Sequence, residues 1–295
     1  MATILALARR LLMLAGLLSL AACQTVNLPD REFIKPDRVT GFQAKAPLDE
    51  QQLASLLPQA RVTPLQLKTE GTELNGVLLE RPDAVATVLF YGGNLFHLDD
   101  AGAPVVKALA ACPVNIAMFD YRGYGRSPGQ PTPELMAADA LRIYDHVRQL
   151  QQPGGKLVVH GYSLGSFMAG QVASQRPLDG LVLAAAAPSP RAMAEYAVGQ
   201  RAGLLAPLIR LQLSEGMARI DNRQALGRYQ GPLLMLAGSR DQTSPAELGR
   251  QLFEAVPSAR KDFLLLPEAT HDTMLPRKEA MERYCEFVRS VASSR

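Results

Sequence analysis

From about residue 60 onward, short continuous apolar runs alternate with longer amphipathic segments. Leu157-Val-Val and Leu233-Leu-Met-Leu are runs of the first kind. A run with no polar alternation suits a strand covered on both faces, and a chain that returns through a helix between strands builds a parallel sheet. Strands are expected over 61–68, 73–80, 85–91, 114–119, 156–160, 180–185, 232–237 and 262–266. Helices are expected over 102–111, 133–150, 164–175, 246–256 and 276–292. Thr132-Pro133-Glu134 is a helix start with a reason for each residue: a capping hydroxyl, a proline at the first turn, then an acid. The pattern predicts an α/β domain over 60–295 with a mostly parallel eight-stranded sheet and helices on both faces. One stretch breaks the rhythm. Residues 188 to about 230 separate two strands and are helical in composition over 193–206 and 209–218. An insertion of that length in a compact domain is usually functional, and it is expected to form a short helical cap.

Composition narrows the class of function. With 47% hydrophobic and 20% charged residues the chain is an ordinary globular one, which excludes disorder as its main state. The net charge of +3 comes without any run of Lys and Arg beyond pairs. A nucleic-acid partner, which calls for a concentrated basic stripe, is therefore not expected. The residues hold no Walker motif. Gly123-x-Gly125 begins like a dinucleotide fingerprint, but Pro128 stands where the third glycine belongs. Four scattered His and two distant Cys make no metal pattern, so neither a metal nor another cofactor is expected.

The first residues read as an export signal. Arg9-Arg10 precedes an uncharged stretch from Leu11 to Ala22, 12 residues long. That is short of the roughly 20 apolar residues a membrane span needs. The signal carries two Arg and no acid, so the charge of the remainder falls to +1. Leu20-Ala21-Ala22-Cys23 resembles the bacterial lipobox, in which the Cys becomes the first mature residue and carries lipid on its thiol and amine. The resemblance implies a signal peptide over 1–22, a membrane anchor at Cys23, and a location in the bacterial cell envelope. Gln24, in place of the Asp that holds such proteins at the inner membrane, favours the outer membrane facing the periplasm. Residues 23–59, interrupted by Pro29, Pro36, Pro47 and Pro58, read as a tether and irregular lead-in, with one short helix over 48–57.

Gly161-Tyr-Ser163-Leu-Gly165 matches G-x-S-x-G, and so does Gly125-Arg-Ser127-Pro-Gly129. A nucleophilic serine must sit on a tight strand-to-helix turn, and the residue after it must lend a backbone N–H to the oxyanion. Ser163 directly follows a predicted strand and opens a predicted helix, and Leu164 has an N–H to give. Ser127 is followed by Pro128, which has none, so Ser127 is a decoy. A serine hydroxyl near neutral pH needs a base, and the base needs a group to orient it. His97, His146 and His160 precede Ser163 and only His271 follows it. Asp241 lies between them after strand 232–237, with Asp221 and Asp272 as rival acids. A second oxyanion donor is expected from the loop after strand 85–91, where Gly93 is the candidate and Asn94 the alternative.

The order Ser163, Asp241, His271 is similar to that of the α/β-hydrolases, and the chain resembles that superfamily over nearly all of 60–292. It looks most like small serine hydrolases with a D-Y-R-G-Y-G-x-S loop, here Asp120 to Ser127. Two positions depart from the family pattern. Tyr91 replaces the common His of the oxyanion motif, and Thr270 replaces the Gly before the catalytic His. The resemblance implies an α/β-hydrolase fold and hydrolysis of carboxylic esters, thioesters or amides on a small-molecule or lipid acyl substrate. It also implies that Cys112 and Cys285 flank the same face of the sheet, where an exported protein would pair them. A serine peptidase and a non-catalytic lipoprotein that uses the fold for binding remain as alternatives. Of the other polar residues, His160 is expected to pack in its strand and His146 on a helix surface. His97 is a candidate lining residue, and Asp120 with Arg122 is a candidate loop brace.

Overall fold

The computed structural model describes residues 24–44 and 50–294. The signal segment 1–22 and Cys23 lie outside the described residues. Among the described residues there are ten strands: β1 (Gln24–Leu28), β2 (Arg61–Thr69), β3 (Thr72–Glu80), β4 (Ala86–Tyr91), β5 (Val114–Phe119), β6 (Leu157–Tyr162), β7 (Gly180–Ala184), β8 (Ile209–Leu213), β9 (Leu233–Gly238) and β10 (Lys261–Leu266). Eight of them form one sheet in the order β10-β9-β7-β6-β4-β5-β3-β2. β2 and β3 are antiparallel to their neighbours and every other pairing is parallel. This is the expected mostly parallel eight-stranded sheet.

The burial of the strands follows from their sequences. β4, β7 and β9 are buried along their whole length, as their apolar runs require, with Thr87 of β4 the polar exception among them. One face is covered by the helices Pro133–Leu150, Leu164–Gln175 and Ala246–Ala255, through Met136, Ile143, Met168, Val172 and Leu252. The other is covered by Glu50–Leu56, Ala103–Leu109 and Lys278–Ser293, through Leu53, Val106, Leu109, Tyr284 and Val288. On this second face a disulfide joins Cys112 to Cys285. The Thr132 hydroxyl accepts from the Leu135 N–H and caps its helix as the sequence predicts.

Two segments differ from the sequence reading. Ile209–Leu213, expected within a helix, is strand β8. Pro207 ends the preceding helical stretch, and Ile209, Leu211 and Leu213 alternate with Arg210 and Gln212, a period of two. Its partner is β1, parallel and in register from Gln24↔Ile209 to Leu28↔Leu213. The lead-in thus starts as a strand against the insertion. It goes on to bury Ile34 in the core of the domain and to form a short helix, Asp37–Thr40. The insertion itself runs through the helix Pro190–Ala202, a 3-10 turn Gly203–Leu208, β8, and the short helices Glu215–Ala218 and Asn222–Leu226.

Candidate active site

The carboxyl ends of β4, β6, β9 and β10 open on one edge of the sheet, with that of β7 between β6 and β9, and the loops that leave the four carry Gly93, Ser163, Asp241 and His271. In open α/β sheets this edge is where ligands bind. At the end of β6 the chain turns directly into the helix Leu164–Gln175, with Ser163 between them at φ 53° and ψ −116°. A side chain in this sparsely populated region costs about 1–3 kcal/mol and persists only where its surroundings hold it. The flanking glycines show what holds it. A Cβ on Gly161 would lie 2.5 Å from the Gly165 carbonyl oxygen, and one on Gly165 would lie 2.0 Å from that of Tyr91. The Ser163 N–H donates to the Ala184 carbonyl, 2.9 Å away.

The Ser163 hydroxyl oxygen is 3.1 Å from His271 Nε2. His271 Nδ1 is 2.8 Å from Asp241 Oδ2. The other oxygen of Asp241 accepts from the backbone N–H groups of Thr243 and Ser244, each at 2.8 Å. The Asp241 side chain is fully buried, while the His271 ring keeps a small exposed edge. The loops that carry acid and base are also tied together. Arg240 N–H donates to the Ala269 carbonyl, and Glu268 N–H to the Ser239 hydroxyl. Ser163, Asp241 and His271 are therefore brought together from three strand ends.

Leu164 opens its helix, so its N–H lies outside the i→i−4 ladder and next to the serine. Gly93 lies on the other side: a Cβ there would be 3.4 Å from that of Ser163. Asn94 uses its side chain as a brace, with Oδ1 accepting from Lys35 N–H and the Tyr124 hydroxyl. Tyr91, the departure from the family pattern, points away into the core and donates to the Ala140 carbonyl at 2.6 Å.

The remaining candidates take structural parts. Ser127 is buried, donating to the Asp120 carbonyl and accepting from Asn75 N–H, each at 2.9 Å. Asp221 caps the helix Asn222–Leu226. Asp272 lies in the wall of the cleft beside His271. His160 is buried with Nδ1 3.1 Å from the Tyr284 hydroxyl, and burial pushes its pKa down to about 3. His146 is half-buried on its helix, edge-on to Phe119. His97 does not line the cleft. It is buried, stacked on Phe42, and its Nε2 is 2.7 Å from Asp37. Asp120 and Arg122 brace the loop through different partners rather than as a pair. Asp120 accepts from Leu98 and Arg126 N–H, and burial raises its pKa to about 6. Arg122 pairs with the buried Asp139 at 2.6 and 2.8 Å.

A cleft of 420 Å³ opens beside His271, walled by Leu95, Phe96, Val105, Tyr162, Asp272 and Leu275 among others. No residue of the 188–230 insertion lines it; the end of the insertion packs instead on the helix Leu164–Gln175, where Asn222 meets Gly170. Sequence reasoning missed three supports of this site. Tyr162 donates its hydroxyl to the His271 carbonyl, and Asp37 and Phe42 hold His97. Tyr162 was within the matched motif, at its variable position. Asp37 and Phe42 carry no local signal, because their partners are some 55 to 60 residues away.

The serine aminopeptidase (S33) family model matches residues 82–225, just under half of the chain. The uncharacterized protein Rv2307c of Mycobacterium tuberculosis is 30% identical over 171 residues, 58% of this chain and 57% of its own length. The lysophosphatidylserine lipase ABHD12 of Mus musculus is 27% identical over 195 residues, 60% of this chain and 48% of its own. The chain thus spans about half the length of these relatives. Among solved structures, the esterase Pf2001 of Pyrococcus furiosus superposes with a TM-score of 0.65 at 16% identity, covering 83% of this chain and 96% of that one. Est1E of Butyrivibrio proteoclasticus, with ferulic acid bound, does so at 0.61 and 16%, covering 78% and 100%. The sheet order, the position of the serine turn and the likeness to these solved structures show that the chain has the α/β-hydrolase fold.

Proposed function

We propose that this protein is a serine hydrolase that cleaves a carboxylic ester, thioester or amide through an acyl-enzyme. The observation that carries the reading is the continuous contact from Ser163 Oγ through His271 to the buried Asp241, with the serine on a strained turn. Asp241 accepts a hydrogen bond from Nδ1–H, which holds the proton on Nδ1 and leaves the lone pair of Nε2 facing the serine. As Oγ attacks the acyl carbon, Nε2 takes the hydroxyl proton, and the carbonyl oxygen gains negative charge. The N–H groups of Leu164 and Gly93 donate to that oxygen. Nε2 then returns the proton to the leaving oxygen, sulfur or nitrogen. Water, deprotonated by the same nitrogen, releases the acid and restores Ser163.

The walls of the cleft favour an uncharged acyl or alkyl group, since Leu95, Phe96, Val105 and Leu275 face it. The esterases of the same fold and the lipase among the relatives support an ester as the substrate. A second reading, a serine peptidase, draws on the name of the matched family and on Asp272, an acid in the cleft wall placed to pair with an amine. In either reading the enzyme is held at the cell envelope by lipid on Cys23, at the outer membrane and facing the periplasm.

Labelling with a fluorophosphonate probe tests the nucleophile. Wild type and Ser127→Ala are expected to label and Ser163→Ala is not. A folded wild type that does not label would leave the fold as a binding module. A chain-length panel of p-nitrophenyl acyl esters, set against aminoacyl p-nitroanilides, separates esterase from peptidase.

A further inference from the structure

We propose that the tip of the insertion, Gly203–Leu208, docks on the phospholipid bilayer that holds the lipid of Cys23, so that the enzyme touches its membrane at two adjoining points. The proposal rests on the lipid-anchor reading of Cys23.

The tip is an apolar element with nothing over it. Leu204 is 98% exposed, Leu205 63% and Leu208 40%, which makes three of the eight large hydrophobic side chains that stand exposed among the described residues. Single exposed leucines are ordinary, whereas three on one six-residue turn without a charge are not. Arg201 and Arg210, both exposed, stand just before and just after the turn. Leucines flanked by cations are the composition that seats at the boundary between acyl chains and anionic headgroups.

The β1–β8 pair ties this tip to the anchor. The two strands are parallel and in register, with Gln24 opposite Ile209. Both therefore begin at the same end, about 4.8 Å apart. The residue that precedes Ile209 is Leu208, and the residue that precedes Gln24 is Cys23. In an antiparallel pair the two strands would begin at opposite ends. The far end of the pair is locked as well, where Ser214 N–H donates to the Leu28 carbonyl and the Ser214 hydroxyl bonds Asp30. Cys23 is joined directly to Gln24, the first residue of β1, so lipid on Cys23 would be attached one residue from the strand end that pairs with Ile209, which follows Leu208. A second copy of the chain is a poor occupant, because three side chains on a short turn fall far short of the roughly 800 Å² per partner that a stable interface buries.

The chain has no Trp, so a single one reports unambiguously. Full-length Leu204→Trp, produced with its own export signal, is reconstituted into vesicles of phosphatidylethanolamine and phosphatidylglycerol with dibrominated acyl chains. Leu150→Trp serves as the control. Leu150 is exposed beside Ala86 and Lys156, at the amino ends of β4 and β6 and so on the opposite edge of the sheet. The expected result is at least twofold quenching of the Leu204→Trp emission by the brominated chains and none of the control. Co-flotation with the vesicles together with unquenched Leu204→Trp would overturn the docking proposal and leave the lipid anchor standing. An N-terminal peptide mass showing Cys23 unmodified would remove the anchor reading and the proposal with it. A concentration-dependent blue shift of Leu204→Trp without vesicles, and no quenching with them, would assign the tip to a second copy instead.

Discussion

Gly165 lies against the end of β4 so closely that a Cβ on it would stand 2.0 Å from the Tyr91 carbonyl oxygen. That contact fixes the start of the serine's helix against the strand from which the loop of Gly93 departs. Gly165→Ala must therefore move the Leu164 N–H away from the Gly93 side. Overpacking of this kind costs about 1–3 kcal/mol, and a displacement of about 1 Å at a reacting group costs about 100-fold in rate. The variant is expected to stay folded by circular dichroism, with a lowered urea midpoint and about 100-fold lower kcat/KM on a p-nitrophenyl ester.

Asp241→Asn probes a different property of the site. The amide keeps the size of the side chain and its acceptor toward Thr243 and Ser244 N–H, but presents an NH2 toward His271 Nδ1. The ring is then driven to the tautomer whose Nε2 carries the proton and cannot accept one from Ser163. In a serine hydrolase of another fold such a change lowers kcat about 10,000-fold, and a loss of that order is expected here with little change in KM. Steady-state kinetics on a p-nitrophenyl ester measures both, and a fall below tenfold would remove Asp241 from the orienting role.

How far the sequence carries depends on the range over which each feature is encoded. The apolar runs in β4, β6, β7 and β9 are local, so strand identity is plain from five or six residues. Ser163, Asp241 and His271 were legible because each follows a predicted strand, in an order with few competitors. β1 and β8 were not, because Gln24–Leu28 and Ile209–Leu213 each alternate for only five residues and stabilise one another across 185 positions of chain. The same applies to Asp37 and His97, and to Arg122 and Asp139, whose partnerships are set by packing of distant segments. Asp120 and Arg122 look like a pair two residues apart, yet their side chains leave the loop toward different elements.

Asp37 joins the lead-in to the loops around the site: Oδ1 meets His97 Nε2 at 2.7 Å and Oδ2 accepts from Gly125 N–H at 2.8 Å. Asp37→Ala leaves the buried His97 imidazole without its partner, at a cost of about 1–3 kcal/mol, while the exposed Gly125 N–H turns to water. Because His97 follows the Gly93 loop by four residues, kcat is expected to fall about tenfold while KM changes little. Asp37→Asn, which keeps one acceptor, is expected to recover part of that loss. Kinetics on both variants checks the brace; equal activity of Asp37→Ala and wild type would show that the loop holds without it.

The disulfide closes a loop of 173 residues, joining the chain beyond the helix Ala103–Leu109 to the last helix. Loss of a native cross-link typically costs about 2–5 kcal/mol. The double variant Cys112→Ser/Cys285→Ser is expected to lose unfolding free energy of that order, read from the lower midpoint of its urea titration. Wild type in dithiothreitol is expected to approach the variant, whereas the variant itself does not respond to the reductant. Because Met281 and Cys285 border the groove between these helices, and Pro104, Ala108 and Pro276 continue it into the cleft, activity is expected to fall with temperature earlier in the variant.

His160 sets an acid limit on stability that is separate from the chemistry. Its ring is buried between Phe90 and Tyr284, and burial lowers its pKa from 6.5 to about 3. Below pH 6.5 the unfolded chain takes up a proton on this residue, and the folded chain does so only near pH 3. Between those values the unfolded state binds more protons, so stability falls as the pH falls. The contribution is full above pH 6.5 and is lost at up to about 1.4 kcal/mol per pH unit on the way down. Asp120 runs the other way. Its carboxyl is raised to about 6 by burial, so from pH 6 down to about 4 the folded state binds the extra proton and gains stability. The net slope of the wild type is therefore shallow in that range, and single variants uncover the two parts. In urea titrations at pH 7, 6, 5 and 4, His160→Asn is expected to remove the acid-side loss and gain stability relative to wild type as the pH falls. Asp120→Asn is expected to steepen the loss. Parallel stability curves for wild type and His160→Asn would mean that the imidazole takes up its proton in the folded protein as readily as in the unfolded chain.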